Sequence, residues 1–154
     1  MKADILNTLD QLFEAQTQML SVLNKKQAVL VRPEKDAMAL IAAEEEKSLE
    51  EMQIILKRRE DILETARLQN IRGESIEQLC GHFFPHNTDV QKLLDETKHR
   101  TQQIRLLAYT NWVLSRKALI HVSQILELLD TSGLGKTTYQ PRQQAGGKRV
   151  NRVA

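Results

Sequence analysis

The chain has 154 residues, 41% hydrophobic and 27% charged, with only 6 Gly, 3 Pro and 4% aromatic residues; this excludes a protein disordered overall or membrane-embedded and favours one domain built from long helices. The formal charge of +2 hides an asymmetry, because Lys136, Arg142, Lys148, Arg149 and Arg152 follow Thr131 with no acid among them, leaving 17 basic residues against 20 acids before it, a net of about −3. Cys80 is the only cysteine, "MKADILNTLDQLF" lacks the uninterrupted apolar core of a signal peptide, and no apolar run approaches the ~18 residues that span a bilayer. A reducing, cytoplasmic location without membrane insertion is expected.

From residue 2 to residue 31, steps of three and four connect Ile5, Leu9, Leu12, Gln16, Met19, Leu23, Lys26 and Leu30 into a heptad-like helical seam with two polar interruptions. Arg32-Pro33 ends it, since proline has no amide hydrogen to donate and turns its predecessor away from helical geometry. Asp36 is the expected N-cap of a second helix, carried by Met38, Ala42, Glu45, Leu49, Met52, Leu56, Arg59, Leu63 and Ala66 and fading near Asn70 and Gly73. Ser75-x-x-Gln78 reads as a capping box opening a short helix through Ile76, Leu79 and Cys80, with a loop from Gly81 to Asn87. Thr88-x-x-Gln91 reads as a second capping box. The last seam runs from Val90 through Leu93, Thr97, Arg100, Ile104, Leu107, Asn111, Leu114, Ala118, His121 and Ile125 to Leu128, a helix of roughly 60 Å at 1.5 Å per residue. Sustained period-2 alternation is absent. The expectation is all-α: an elongated antiparallel bundle of three long helices plus one short helix across an end, over residues 1–130, then a flexible basic tail over 131–154.

On the last helix the apolar stripe is narrow up to Asn111 and widens beyond Leu114 to take in Ala118, Leu119, Val122, Ile125, Leu126 and Leu129. Two readings stand side by side. Either the first two helices fold over this face, or it is an exposed amphipathic end that receives an apolar partner helix.

Several chemical signals fail on inspection. Gly135-Lys136-Thr137 resembles the end of a phosphate-binding loop, but position 130 is Asp where that loop needs glycine, and a helix precedes it instead of a strand. Gly133 reads better as the stop of the long helix. Cys80, His82 and His86 are too few for a zinc site, and no second cluster completes them, so no metal or other cofactor is expected. Glu96-x-x-His99 is half of a di-iron motif with no second copy; Glu96 and Arg100 are spaced for an ion pair instead. Seam positions Glu45, Arg59, Arg100, Asn111 and His121 need partners if buried and fit a role in fixing helix register. No catalytic set can be assembled, so an enzyme is not expected. Five charges and one aromatic, Tyr139, in the tail are too little for a nucleic-acid arm; a tail carrying a short docking motif explains them equally.

The order of these features resembles the FlgN family of flagellar type III export chaperones. The resemblance rests on "KKQAVLV", the turn "RPEKDAMALI", Glu45 and "LEEMQIILKRREDIL" with Arg59. It is more specific in "LLAYTNWVLSRKALIHVSQILELL", which matches the family's L-x-x-x-N-x-x-L helix at Asn111 and Leu114, and in "TTY" at Thr137, Thr138 and Tyr139. Ala108 stands where the family often has a further Asn, and Tyr139 is followed by "QPRQQ" where glycines are common. The resemblance implies a cytoplasmic, non-enzymatic chaperone that keeps hook-associated (hook–filament junction) proteins unpolymerised. It would bind their disordered C-terminal segments and then dock on the cytoplasmic domain of the export gate. It further implies a cargo face of Leu114, Leu119, Val122, Ile125, Leu126 and Leu129, with Asn111 serving either that face or the core, and gate docking by Tyr139. The competing class is a helical adaptor or self-associating coiled coil, whose wide stripe pairs with a second copy in a homo-oligomer.

Overall fold

The computed structural model describes residues 1–131; the tail, with Gly133, the Gly135-Lys136-Thr137 stretch and Tyr139, lies outside the described residues. Four helices follow one another, α1 (Lys2–Val31), α2 (Lys35–Leu68), α3 (Ile76–Phe83) and α4 (Thr88–Thr131), and no strand occurs among the described residues. The chain divides into two compact units, Met1–Leu119 and the segment from Ile120 onward. Of the second, the structure describes the end of α4.

Within Met1–Leu119 the cross-helix contacts fix direction. Lys25 pairs with Glu44 at 2.9 Å and Lys26 with Glu45 at 2.6 Å, while Arg58 donates to Gln11. Late α1 therefore meets early α2, and the two run antiparallel. Against α4 the numbers rise together, Gln16 meeting Thr97 and Thr101, and Asn111 meeting Leu23. Hence α4 runs alongside α1 in the same direction, and the three long helices go up, down and up.

The densest core draws on all four helices: Ile5 and Leu9 from α1, Ile62 and Ala66 from α2, Ile76, Leu79 and Cys80 from α3, Val90 and Leu94 from α4. Ile5, Leu79 and Cys80 are fully buried. Each aliphatic side chain of this size contributes roughly 1.5–3 kcal/mol on burial. The eight-residue α3 could not hold itself together in water; its Leu79 and Cys80 anchor it in that core. Phe83 and Phe84 pack on the same cluster, with Lys2 Nζ 5.9 Å from the centre of each ring.

The helix ends follow local chemistry, with three departures from expectation. First, α2 begins at Lys35 with Glu34 as its cap residue and no side-chain capping bond. Asp36 is thus already helical, where its carboxylate favours the positive end of the helix dipole instead of capping it. Second, α3 continues through Gly81 to Phe83, because nothing crowds Gly81 and no positive φ is required there. Third, α4 is capped by Asn87, one residue earlier than Thr88: Asn87 Oδ1 accepts from Asp89 N at 3.0 Å and Val90 N at 3.2 Å. An Asn is at least as good a cap as a Thr, so the boundary moves by one.

Elsewhere the signals hold. Arg32 closes α1. Ser75 Oγ accepts from Gln78 N at 3.2 Å, and Gln78 Oε1 accepts in return from Glu74 N at 2.8 Å, a capping box displaced by one amide. Asn70 adopts φ 55° and ends α2, with Asn70 N donating to Arg67 O at 3.0 Å and Ile71 N to Ala66 O at 2.9 Å. This is the Schellman arrangement, which satisfies carbonyls the helix leaves open. A Cβ at Gly73 would lie 2.6 Å from Leu79 Cδ2, so any larger residue there would displace that fully buried side chain.

Candidate binding surfaces on the last helix

The residues of α4 singled out from the sequence go to different places. Asn111 is buried, its Nδ2 donating to Leu23 O at 2.9 Å, and its Oδ1 has no hydrogen-bond partner. Of the two roles open to it, the core is the one it occupies here. Leu114 is half-buried. Leu119 is 68% exposed. In the second unit, Val122, Ile125, Leu126 and Leu129 are between 47% and 56% exposed and recur in steps of three, one and three, which places them on one helical face. Ile120 and Leu128 are also exposed, so apolar surface extends beyond that face.

Of the other polar seam residues, Gln16, Lys26, Glu45 and Arg100 are used across helices, whereas Arg59 and His121 make no such contact among the described residues. Gln16, the first polar interruption of α1, is buried; its Nε2 donates to Thr97 O at 3.1 Å and Thr101 Oγ1 at 2.9 Å, and its Oε1 has no partner. Lys26, the second, pairs with Glu45. Arg100 does not pair with Glu96 as its spacing suggested. Its guanidinium lies 3.6 Å from the centre of the Phe13 ring and donates to Phe13 O and Thr17 Oγ1. A planar, weakly hydrated cation gains more over an aromatic face next to a carbonyl than beside an exposed carboxylate.

Sequence reasoning missed an aromatic pair. Tyr109 and Trp112 stack at 5.9 Å with an interplanar angle of 29°, Arg116 lies 5.1 Å from the Trp112 ring centre, and both rings are more than half exposed. The signal was present, because Trp112 sits one position past the buried Asn111 and Tyr109 two past Leu107, which turns both rings away from the seam.

Also missed was a groove of about 610 Å³ with walls from α2 and α4 and a floor on α1. Leu12, Met52, Leu56 and Ile104 line it, with Gln16, Thr97 and Thr101 in its floor and Arg59, Lys98 and Arg105 at its rim. Lys98 is tied to Glu77 of α3 at 2.6 Å, and that carboxylate holds the ammonium above its ordinary pKa.

Among the described residues no three His, Cys, Asp or Glu side chains come together as a metal site. His82 instead stands edge-on to Phe83 at 5.0 Å. Burial, reinforced by the charge of Glu77, pushes the Cys80 thiol above its ordinary pKa, opposite to what a reactive thiolate requires. No described helix is long and apolar enough to cross a membrane.

An all-α protein that keeps large aliphatic and aromatic side chains outside its core belongs with helical proteins that bind other protein segments. A protein-family model described as FlgN protein matches residues 1–147, and the chain belongs to that family, the flagellar export chaperones. No curated protein and no solved structure matches the chain.

Proposed function

We propose that this chaperone acts in the cytoplasm on hook-associated proteins. It binds their C-terminal segments through Leu114, Leu119, Val122, Ile125, Leu126 and Leu129 of α4, and so prevents premature polymerisation. It then delivers them to the cytoplasmic domain of the export gate through Tyr139, with no catalytic step. Asn111 fixes α4 on α1 behind Leu114. The observation that carries this reading is the exposure of four large aliphatic residues, Val122, Ile125, Leu126 and Leu129, in helical spacing on a chain of this family. Such a stripe suits an amphipathic segment that folds as it binds. The ordering cost limits affinity, and a cargo that must later leave for secretion benefits from that limit.

The test is co-purification with each candidate junction protein, intact and with its C-terminal segment deleted. Recovery should require the segment; equal recovery without it removes the proposed contact. Tyr139→Ala should keep cargo and lose the gate domain, and unchanged gate affinity would move docking elsewhere. Self-association that is insensitive to salt, with no affinity for those C-termini, would favour the competing oligomeric adaptor.

A further inference from the structure

The groove inside Met1–Leu119 is a second binding surface, and its chemistry describes its occupant. Its walls are aliphatic: Leu56, about half exposed, and Met52 on α2 face Ile104 on α4, above Leu12. Three long helices running up, down and up leave a seam between the two outer ones, and a fourth helix laid there would complete a bundle. Length points the same way. From Leu94, which lines the groove, to Trp112 is 18 residues, about 27 Å along α4 at 1.5 Å per residue. Trp112 lies seven positions, two turns, beyond Arg105 on the same side of α4, so the Tyr109–Trp112 stack continues the wall that Arg105 belongs to.

Charge then selects the occupant. Arg59 on α2 and Arg105 on α4 both line the groove, and neither has an ion-pair or hydrogen-bond partner among the described residues. Lys98 is neutralised by Glu77 and Arg100 is committed to α1. Along α4, no acid occurs between Glu96 and Glu127. An apolar trough with two free guanidiniums on opposite walls complements an amphipathic helix that carries carboxylates beside its apolar face. Trp, Tyr and Arg are also the residue types that dominate binding energy at protein interfaces.

We infer that the α2–α4 groove, bordered by Arg59 and Arg105 and extended by Trp112, docks an acidic amphipathic helix of a partner protein. This surface lies wholly within Met1–Leu119 and does not depend on the proposed cargo contact of Val122–Leu129.

Trp112 is the only tryptophan, so its emission reports an occupant that reaches past Arg105 along α4. The probe is a synthetic, Trp-free helical peptide of about 18 residues with Leu at i, i+3, i+4 and i+7 and Glu on both flanks, alongside a twin with Lys in place of Glu. Titrated into the full chain, the Glu peptide should shift Trp112 emission to shorter wavelength and saturate, and the Lys twin should bind about 10-fold more weakly or worse. Arg59→Glu with Arg105→Glu should invert that preference, and Leu56→Asp should weaken both peptides, with helicity checked by circular dichroism in each variant. Equal binding of the two peptides, or a preference untouched by the double reversal, overturns the inference. A shift of Trp112 emission with protein concentration alone, accompanied by dimer in sedimentation, would also overturn it and give the groove to a second copy. Because the probe is synthetic, none of these outcomes touches the cargo reading, which stands or falls on deleting the cargo's C-terminal segment.

Discussion

Gln16→Leu tests what the polar seam contributes. The substitution removes two donated hydrogen bonds, to Thr97 O and Thr101 Oγ1. At a net of about 1 kcal/mol each, that is about 2 kcal/mol lost. Neither partner is left bare, because Thr101 Oγ1 still donates to Thr97 O at 2.9 Å. The substitution also removes Gln16 Oε1, a buried acceptor without a donor, whose desolvation costs roughly 1–3 kcal/mol in the native protein. The two changes are of equal size and opposite sign. Leucine fills nearly the same volume, so no cavity follows. Urea unfolding followed by circular dichroism should therefore place Gln16→Leu within about 1 kcal/mol of the native chain. Gln16→Ala, which opens a cavity as well, should lose about 2 kcal/mol or more. If Gln16→Leu were as costly as Gln16→Ala, the seam amide would be a main source of stability and the reasoning would fail.

Two further predictions concern the cap of α2 and the core of α3. Asn70 holds φ 55°, so Asn70→Gly should keep or raise the melting temperature, whereas Asn70→Ala should cost about 1–2 kcal/mol; equal melting temperatures for both variants would contradict the assigned cap. Cys80, fully buried with its pKa raised above the ordinary 9.0, should react with an aromatic disulfide reagent at the rate of global unfolding instead of at the rate of a free thiol. A raised folded-state pKa leaves the fold at full stability below the ordinary value and erodes it as pH climbs from there toward the raised one. Stability should therefore fall as pH rises from about 8.5 upward in the native chain and fall less in Cys80→Ala; parallel profiles would remove Cys80 from the effect.

What sequence conveyed well was anything set by periodicity or by a single residue's backbone preference. The seam of α1 runs through the buried Ile5, Leu9, Met19 and Leu23, whereas α2 buries Ile41, Ser48, Ile55 and Ile62, one position before the expected seam, and leaves Leu49 and Leu56 exposed; of that expected seam only Ala66 is buried. Proline after Arg32, Asn70 and Ser75 each act near where they stand. What it conveyed poorly depends on which residue lies opposite. Nothing local distinguishes Asn87 from Thr88 as a cap, and nothing in the Glu96–Arg100 spacing reveals Phe13 and Thr17 waiting on α1. The groove is of the same kind, since its walls come from segments more than thirty residues apart and exist only once α4 has returned beside α2. Trp112 and Tyr109 were visible as residues but not as a surface, because attention to the seam discards whatever points away from it. The exposed aliphatics from Val122 to Leu129 were legible as an excess over what the seam needs, and they are about half exposed in this structure.

The polar seam residues share a logic that stability alone does not explain. Gln16 and Asn111 each satisfy one amide group and leave the other without a partner, so each is a weak contributor where leucine would serve. Their partners, however, are singular. Sliding α4 along α1 by one turn, about 5.4 Å, would keep leucine opposite leucine over much of the seam. The same slide would separate Gln16 from Thr97 and Thr101, Asn111 from Leu23, and Arg100 from Phe13. An apolar seam of three- and four-residue steps tolerates several registers, and these three polar contacts, two of them buried, tolerate one. For a helix that carries Trp112 and Arg105 into a groove wall, that discrimination matters more than a kilocalorie of stability, since a one-turn slip would move both past the α2 side chains opposite them.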